Sequence, residues 1–259
     1  MIDIPINFLF DLINQNIWYL ARIHGLFISA PLFNDNIIQK KIKIGISVLL
    51  SLFFSYQFPL IKIKIFSFEG LYLLVLQIVI GFIIGLILQF AFCSVKFAGE
   101  LIGLQMGLSF AVFFDQIGGP NAPIISKFLY VIFVLVFLSF NSHLLIFHII
   151  FTSLQFIPIN MNFNIDYDVL FSITNCAGII FNYGLLLAIP SITALLILNI
   201  LFGILNRFTP QFSVFVVGFS FSLIIGLLFL NIILSNFQEF SKKIIEEIFR
   251  YINDILINY

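Results

Sequence analysis

Charge is what this chain has least of. Asp, Glu, Lys and Arg make up 9% of its 259 residues, twelve of each sign, and the formal net charge is zero. No field of one sign surrounds such a protein, so nucleic acid is excluded as a partner gathered by phosphate neutralisation. Cysteine is nearly absent. Cys93 and Cys176 each lie in apolar sequence with no second cysteine nearby, which excludes a disulfide scaffold and a cysteine metal centre and leaves both as packing residues. His143 and His148 stand five residues apart and face different sides of a helix, a poor metal pair. The chain also lacks HExxH, CxxC, a phosphate-cradling glycine loop with lysine, and a serine elbow. The expectation is a protein that is not an enzyme and holds neither metal nor cofactor. Without a repeat of 20–50 residues or a low-complexity linker, residues 1–259 read as one integral domain.

What the chain has in abundance is apolar surface. Hydrophobic residues reach 61%, phenylalanine alone contributes 36 residues, and the mean hydropathy is +1.16, far outside the soluble range. Ile44–Ile61, Leu71–Val95, Val169–Asn206 and Phe208–Gln238 carry no charge, and most reach the ~20 residues that a helix needs to cross a bilayer core. Phe128–Ile159 is equally apolar apart from its two histidines, and Phe8–Ala30 qualifies if Asp11 and Arg22 are accommodated. The predicted fold class is therefore all-α: an integral, multi-pass membrane protein of six to eight long hydrophobic helices. Asp3 and Asp11 stand where a cleaved signal would be basic or apolar, so the first helix is expected to be retained. Lysines flank the second apolar segment on both sides and leave orientation open.

Interruptions divide the chain. Pro31, the Asn34-Asp35-Asn36 turn and Lys40, Lys41 and Lys43 mark a first boundary, and the polar run Pro158–Asp168 marks another. Val169–Asn206 contains Gly178, Gly184 and Pro190 and reads equally as one bent span or a hairpin of two short ones. From Glu239 to the end, charged residues interleave with Phe240, Ile244, Ile248, Tyr251 and Ile255 at helical spacing, which predicts an amphipathic C-terminal helix over 239–259 that lies at an interface or against a partner.

The most specific stretch is AGELIGLQMGLSFAVFFD, residues 98–115. Gly99, Gly103 and Gly107 recur every fourth residue and would line one face of a helix, letting a neighbouring backbone approach; Gly81 and Gly85 form a second such pair. Each glycine costs about 1 kcal/mol against alanine in a helix interior, so three in register call for a contact that offsets it. On this reading Gly103→Val disrupts subunit packing. Met106, Phe110, Phe113 and Phe114 then bring bulk, and the pattern breaks at Asp115 into the turn-forming Gly118-Gly119-Pro120-Asn121. Bulk and adaptability beside a turn fit a gate, while the abundance of phenylalanine also fits ordinary core or lipid-facing positions. Arg22, Lys96, Glu100 and Arg207 lie in apolar sequence, where each costs ~2.5 to 3.5 kcal/mol at a helix centre unless paired or solvated. Lys96 and Glu100 are four apart and positioned to pair. A snorkelling or intersubunit ion pair and a water-filled vestibule are both open for them.

Three segments, RIHGLFISAPLF from Arg22, GELIGLQMGLSFAVFFD from Gly99 and LNRFTPQFSVFVVGF from Leu205, resemble in order the FliR family, export-gate protein R of bacterial flagella. The resemblance covers nearly the whole chain. It implies a noncatalytic subunit of the type III secretion export gate, in the bacterial inner membrane at the flagellar basal body, that passes unfolded flagellar proteins. It also implies a helical P-Q-R assembly of five P, four Q and one R, working with proteins A and B. The loop after the GELIGLQMGLSF helix would be a channel plug, roughly Met106 through Pro123, with Phe110 and Phe113 its apolar obstruction. The chain departs from the commoner pattern at Gln116–Pro120, which touches the geometry of such a plug. A homologous injectisome subunit is a close alternative, and a small-solute secondary transporter with broken helices is a third reading.

Overall fold

Among the residues that the structure, a computed structural model, describes (6–31, 39–59, 63, 65–108, 123–159, 167–208 and 214–257), seven α-helices are found. They are α1 (Ile6–Ser29), α2 (Lys40–Gln57), α3 (Phe68–Gln105), α4 (Ile124–Ser139), α5 (Ser142–Phe156), α6 (Tyr167–Phe208) and α7 (Val214–Ile257). No strand occurs among the described residues. Apolar sequence without turn residues propagates as helix because only a helix satisfies its own backbone where water is scarce. Three of these helices, α3, α6 and α7, are long and apolar enough to cross a membrane, and α4 with α5 counts as a fourth if the bent pair is one span.

The long helices revise the expected segmentation. At 38, 42 and 44 residues, α3, α6 and α7 are each about twice as long as the ~30 Å hydrocarbon core requires, given ~1.5 Å per residue. Val169–Asn206 is one helix that continues through Pro190, so the hairpin alternative falls away. The amphipathic tail is not a separate helix: its change of character at Glu239 occurs inside α7. There Ile244, Ile245, Ile248, Phe249, Ile252 and Leu256 are buried, while Lys242, Lys243, Glu246 and Arg250 are exposed, with Lys242 and Glu246 paired at 3.7 Å. The uncharged run Ile44–Ile61 yields a shorter helix than a span, because α2 takes in the three lysines at its start and stops at Gln57 before Pro59. Phe128–Ile159 is broken at Asn141, whose φ of +55° lies in the left-handed region that asparagine tolerates.

The helices pack into two compact units, whose boundaries fall inside α3, α6 and α7. The first comprises residues 1–89, 142–176 and 248–259. Here α1 lies along α2 and crosses α3 at backbone contact. A β-carbon on Gly81 would strike the Arg22 carbonyl and stand 2.9 Å from the Leu26 nitrogen; one on Gly85 would stand 2.8 Å from the Leu26 carbonyl oxygen. Gly25 meets the Ile78 carbonyl in the same way. Ser29 completes the crossing by donating its hydroxyl to the Phe82 carbonyl at 2.9 Å. The neighbour that the Gly81-Gly85 pair called for is thus α1, and the glycines let two helices touch without intervening side chains.

Polar side chains of α1 close the ends of other elements. Asn14 donates to the Ile63 carbonyl at 2.9 Å and accepts from the Ile65 amide at 3.3 Å. Gln15 donates to the Ser55 and Phe58 carbonyls, at 3.0 and 3.2 Å, where α2 ends. Arg22, 1% exposed, donates Nε to Gln77 Oε1 at 2.8 Å and Nη1 to the Ser153 carbonyl at 2.8 Å and its hydroxyl at 3.3 Å. Its Nη2 donates to the Ile157 carbonyl at 2.8 Å and to Gln77 Oε1. All five guanidinium donors are used. The charge sits at the C-terminus of α5, where the last carbonyls and the helix dipole are both negative.

The second unit comprises residues 90–141 and 177–247. Its core is an aromatic cluster in which Phe92 meets Phe133 at 4.9 Å, Phe137 at 5.3 Å and Tyr130 at 5.9 Å between ring centroids, and Phe133 reaches Phe237 of α7 at 6.4 Å. Gly184 admits α6 close to α3, since a β-carbon there would stand 3.0 Å from the Ser94 carbonyl oxygen.

Replacing Arg22 by lysine keeps the charge but cannot reproduce the fork, so acceptors on Gln77, Ser153 and Ile157 lose donors. The expected loss is on the order of 3 kcal/mol, at about 1.5–3 per bond to a charged group. It is read as a lowered unfolding temperature of the purified chain in detergent; an unchanged midpoint would show that the fork does not hold the first unit together.

Candidate functional site

The segment singled out in the sequence lies at the end of α3 in the second unit, and each of its parts has a different task. Gly99 is the tightest point. A β-carbon there would stand 2.8 Å from the Ser126 nitrogen and 3.1 Å from the Ile125 carbonyl carbon, so α3 and the start of α4 meet backbone to backbone. Ser126, fully buried, seals the crossing by donating its hydroxyl to the Lys96 carbonyl at 2.9 Å. One turn on, Gly103 is looser: its β-carbon would meet Pro123 Cβ at 3.6 Å, an ordinary contact. Within the chain, the absence of a side chain is exploited at Gly99 more than at Gly103.

Gly107 does not continue the helical face. Helix α3 stops at Gln105, and Gly107 has φ +79°, the left-handed conformation that L side chains resist. Its amide donates to the Leu104 carbonyl and the Leu108 amide donates to the Gly103 carbonyl, both at 3.0 Å. These two bonds form the glycine stop that ends many helices and satisfies their last carbonyls. The same four-residue recurrence that reads as a continuous face is therefore a tight crossing, a loose contact and a terminator in succession.

Met106, 1% exposed, immediately precedes that stop. Its side chain occupies a notch on α7 at Gly226, where a β-carbon would lie 2.6 Å from its Cγ and Cε and 2.7 Å from its Sδ. Its carbonyl accepts a hydrogen bond from the Ser222 hydroxyl at 3.3 Å. The methionine, one of the expected plug residues, is thus enclosed by helix. Phe110, Phe113, Phe114, Asp115, Gly118, Gly119 and Pro120, the other expected gate residues, lie outside the described residues.

The four expected buried charges separate. Arg22 is buried and fully bonded, in the first unit. Lys96 is exposed, and its ammonium stands 4.1 Å from the centroid of the Tyr130 ring, a cation–π contact in place of the expected pairing with Glu100. Glu100 is half-buried. Arg207 is exposed in the last turn of α6, where a cation complements the helix dipole. Long side chains escape burial this way, carrying the charge to the rim of an apolar surface.

Residues that the sequence reading passed over make close contacts within each unit. Gly226 and Ser222 form a small-xxx-small pair on α7, the same signal that exposed Gly81 and Gly85. Gly25 and Ser29 follow Arg22 at three and seven residues, on one face of α1, and Gln77 precedes Gly81 by four. Ser126 carries no such spacing signal.

Residues 13–248 match the family model described as bacterial export proteins, family 1. The chain is 42% identical to the flagellar biosynthetic protein FliR of Pectobacterium carotovorum subsp. carotovorum over 94% of this chain and 93% of that one. It is 35% identical to the FliR of Escherichia coli (strain K12) over 94% of this chain and 93% of the other. It is 36% identical to the FliR of Buchnera aphidicola subsp. Schizaphis graminum (strain Sg) over 93% of both.

The two glycines of α3 make opposite predictions. Gly99→Val places a branched side chain against the Ser126 and Ile125 backbone and is expected to abolish recovery of folded protein, whereas Gly103→Val, whose β-carbon meets Pro123 and Ile125 at ordinary contact distances, is expected to fold at near-normal yield. Monodisperse yield in detergent reads both, and equal behaviour of the pair would refute the assignment of the close crossing to Gly99.

Proposed function

The chain belongs to the bacterial export proteins, family 1, and from that membership we propose that it is a noncatalytic subunit of the flagellar type III secretion export gate. In this reading it lies in the bacterial inner membrane at the flagellar basal body and contributes wall and plug to a channel for unfolded flagellar axial proteins. The observation that carries the reading is the family match, which spans all three resembling motifs and nearly the whole chain. The physical character of the chain supports it. Three or four apolar helices suit a membrane component, and the exposed apolar faces of α6 and α7, among them Leu196, Ile200, Ile204, Ile224 and Leu228, suit a subunit that is covered by lipid and by other helices.

The gate itself is assigned to the stretch after α3. The glycine stop at Gly107 releases the chain from the helix, and Phe110, Phe113 and Phe114 follow before Asp115 and the Gly118-Gly119-Pro120 turn. Large apolar side chains across a narrow passage exclude water and ions by dewetting, while an entering unfolded chain displaces them. Such a seal needs no cofactor and no chemistry; driving energy enters through other components of the apparatus. The expected partners are proteins P and Q, five and four copies for one of this chain, together with proteins A and B and the unfolded cargo.

Two measurements test this. Co-expression with the neighbouring P and Q proteins, followed by mass determination of the gently extracted complex, is expected to give one assembly containing a single copy of this chain. A monodisperse particle of this chain alone, indifferent to P and Q, would favour a small-solute transporter. In the intact complex, Phe110→Ala with Phe113→Ala is expected to raise ion conductance in planar bilayers without lowering assembly yield; unchanged conductance would sink the plug assignment.

A further inference from the structure

We propose that Gly226 and Ser222 of α7 are positioning residues for the gate: together they form a socket that holds Met106 and so sets where the chain leaves α3 for the obstructing segment. This rests on the gate reading above and adds to it a part of the molecule, the first third of α7, whose Ser222 is 116 residues from Met106 in sequence.

Three independent features converge on Met106. Its side chain fills the Gly226 notch so closely that a β-carbon at 226 would stand 2.6 Å from Cγ and Cε. Its carbonyl, one of those that a helix end leaves unpaired, receives the Ser222 hydroxyl at 3.3 Å. The next residue, Gly107, is locked in the left-handed stop by the two terminal backbone bonds. Ser222 and Gly226 are four apart and therefore share one face of α7. Side chain, carbonyl and adjoining dihedral are thus all specified where the chain leaves α3. Methionine suits the task because its unbranched thioether adapts to an irregular hollow without strain.

The contact can be altered without breaking the fold. A methyl group at Gly226 has Cγ, Sδ and Cε of the flexible Met106 side chain as its three nearest neighbours, so the methionine is expected to be displaced before the helices are. In the complete complex with P and Q, Gly226→Ala is expected to assemble at normal yield and to raise planar-bilayer ion conductance at least fivefold. Met106→Ala, which empties the socket, is expected to do the same, and Met106→Leu, which refills it, is expected to stay closed. A purely structural role would lower yield in proportion to lost packing and would leave the conductance of recovered complexes unchanged. If the Gly226 variant is not recovered, the Met106→Ala and Met106→Leu pair decides by the same measurement, and equal conductance of that pair overturns the socket. Closed Gly226→Ala and Met106→Ala complexes beside a leaking Phe110→Ala/Phe113→Ala complex would overturn the socket and leave the plug standing. If all three remain closed, the gate reading fails and the socket with it.

Discussion

A helix end leaves backbone carbonyls unpaired, and a chain this apolar offers few side chains and little water to receive them. The first unit is organised around that constraint. Asn14, Gln15 and Arg22 stand on one helix and serve three different elements: the segment at Ile63 and Ile65, the end of α2, and the end of α5. Arg22 illustrates why a charge survives inside such a structure. It faces no carboxylate among its bonded partners; its charge is dispersed over a glutamine oxygen, a hydroxyl and two helix-terminal carbonyls. Five directed bonds replace hydration, and the guanidinium geometry is what lets one side chain make them.

The second constraint grows out of the first. Where polar groups must meet other polar groups across helices, the backbones have to come near, and glycine is what allows it. Gly25, Gly81 and Gly85 bring α1 onto α3, and Ser29 uses the resulting proximity to reach the Phe82 carbonyl. In the second unit, Gly99 brings α3 onto the start of α4, and Ser126 reaches the Lys96 carbonyl. At the end of α3, Gly226 admits Met106 and Ser222 reaches its carbonyl. A glycine paired with a serine hydroxyl recurs at all three crossings. The hydroxyl also satisfies itself along its own helix elsewhere, as at Ser47, Ser51 and Ser55 of α2, each of which donates to the carbonyl three residues earlier.

This grammar gives the proposed gate its mechanical basis. A seal that opens for a passing chain has to be soft where it obstructs and firm where it is attached. Phenylalanines after Ser109 supply the obstruction in the proposed function, and the firm attachment is the fully specified exit from α3. The helix is clamped at Gly99, terminated at Gly107 and held at Met106 between them.

Composition and unbroken apolar runs determined the class by themselves: helices, long ones, apolar enough to cross a membrane. Family-length motifs carried the functional reading, since RIHGLFISAPLF and GELIGLQMGLSFAVFFD are too long to coincide by chance. Glycine spacing was legible as close contact but not as contact with what. Gly99, Gly103 and Gly107 are identical letters at identical spacing, and only tertiary structure made them a crossing, a loose neighbour and a stop. The burial of a charge was likewise undecidable in one dimension: Arg22 is enclosed because carbonyls from the end of α5, distant in sequence, come to it, while Lys96 and Arg207 reach the surface on their own stems. Periodicity reports which side chains share a face, because that depends on the local helical repeat alone. Which face finds which partner depends on contacts between residues far apart in the chain, and those exist only once the helices have packed.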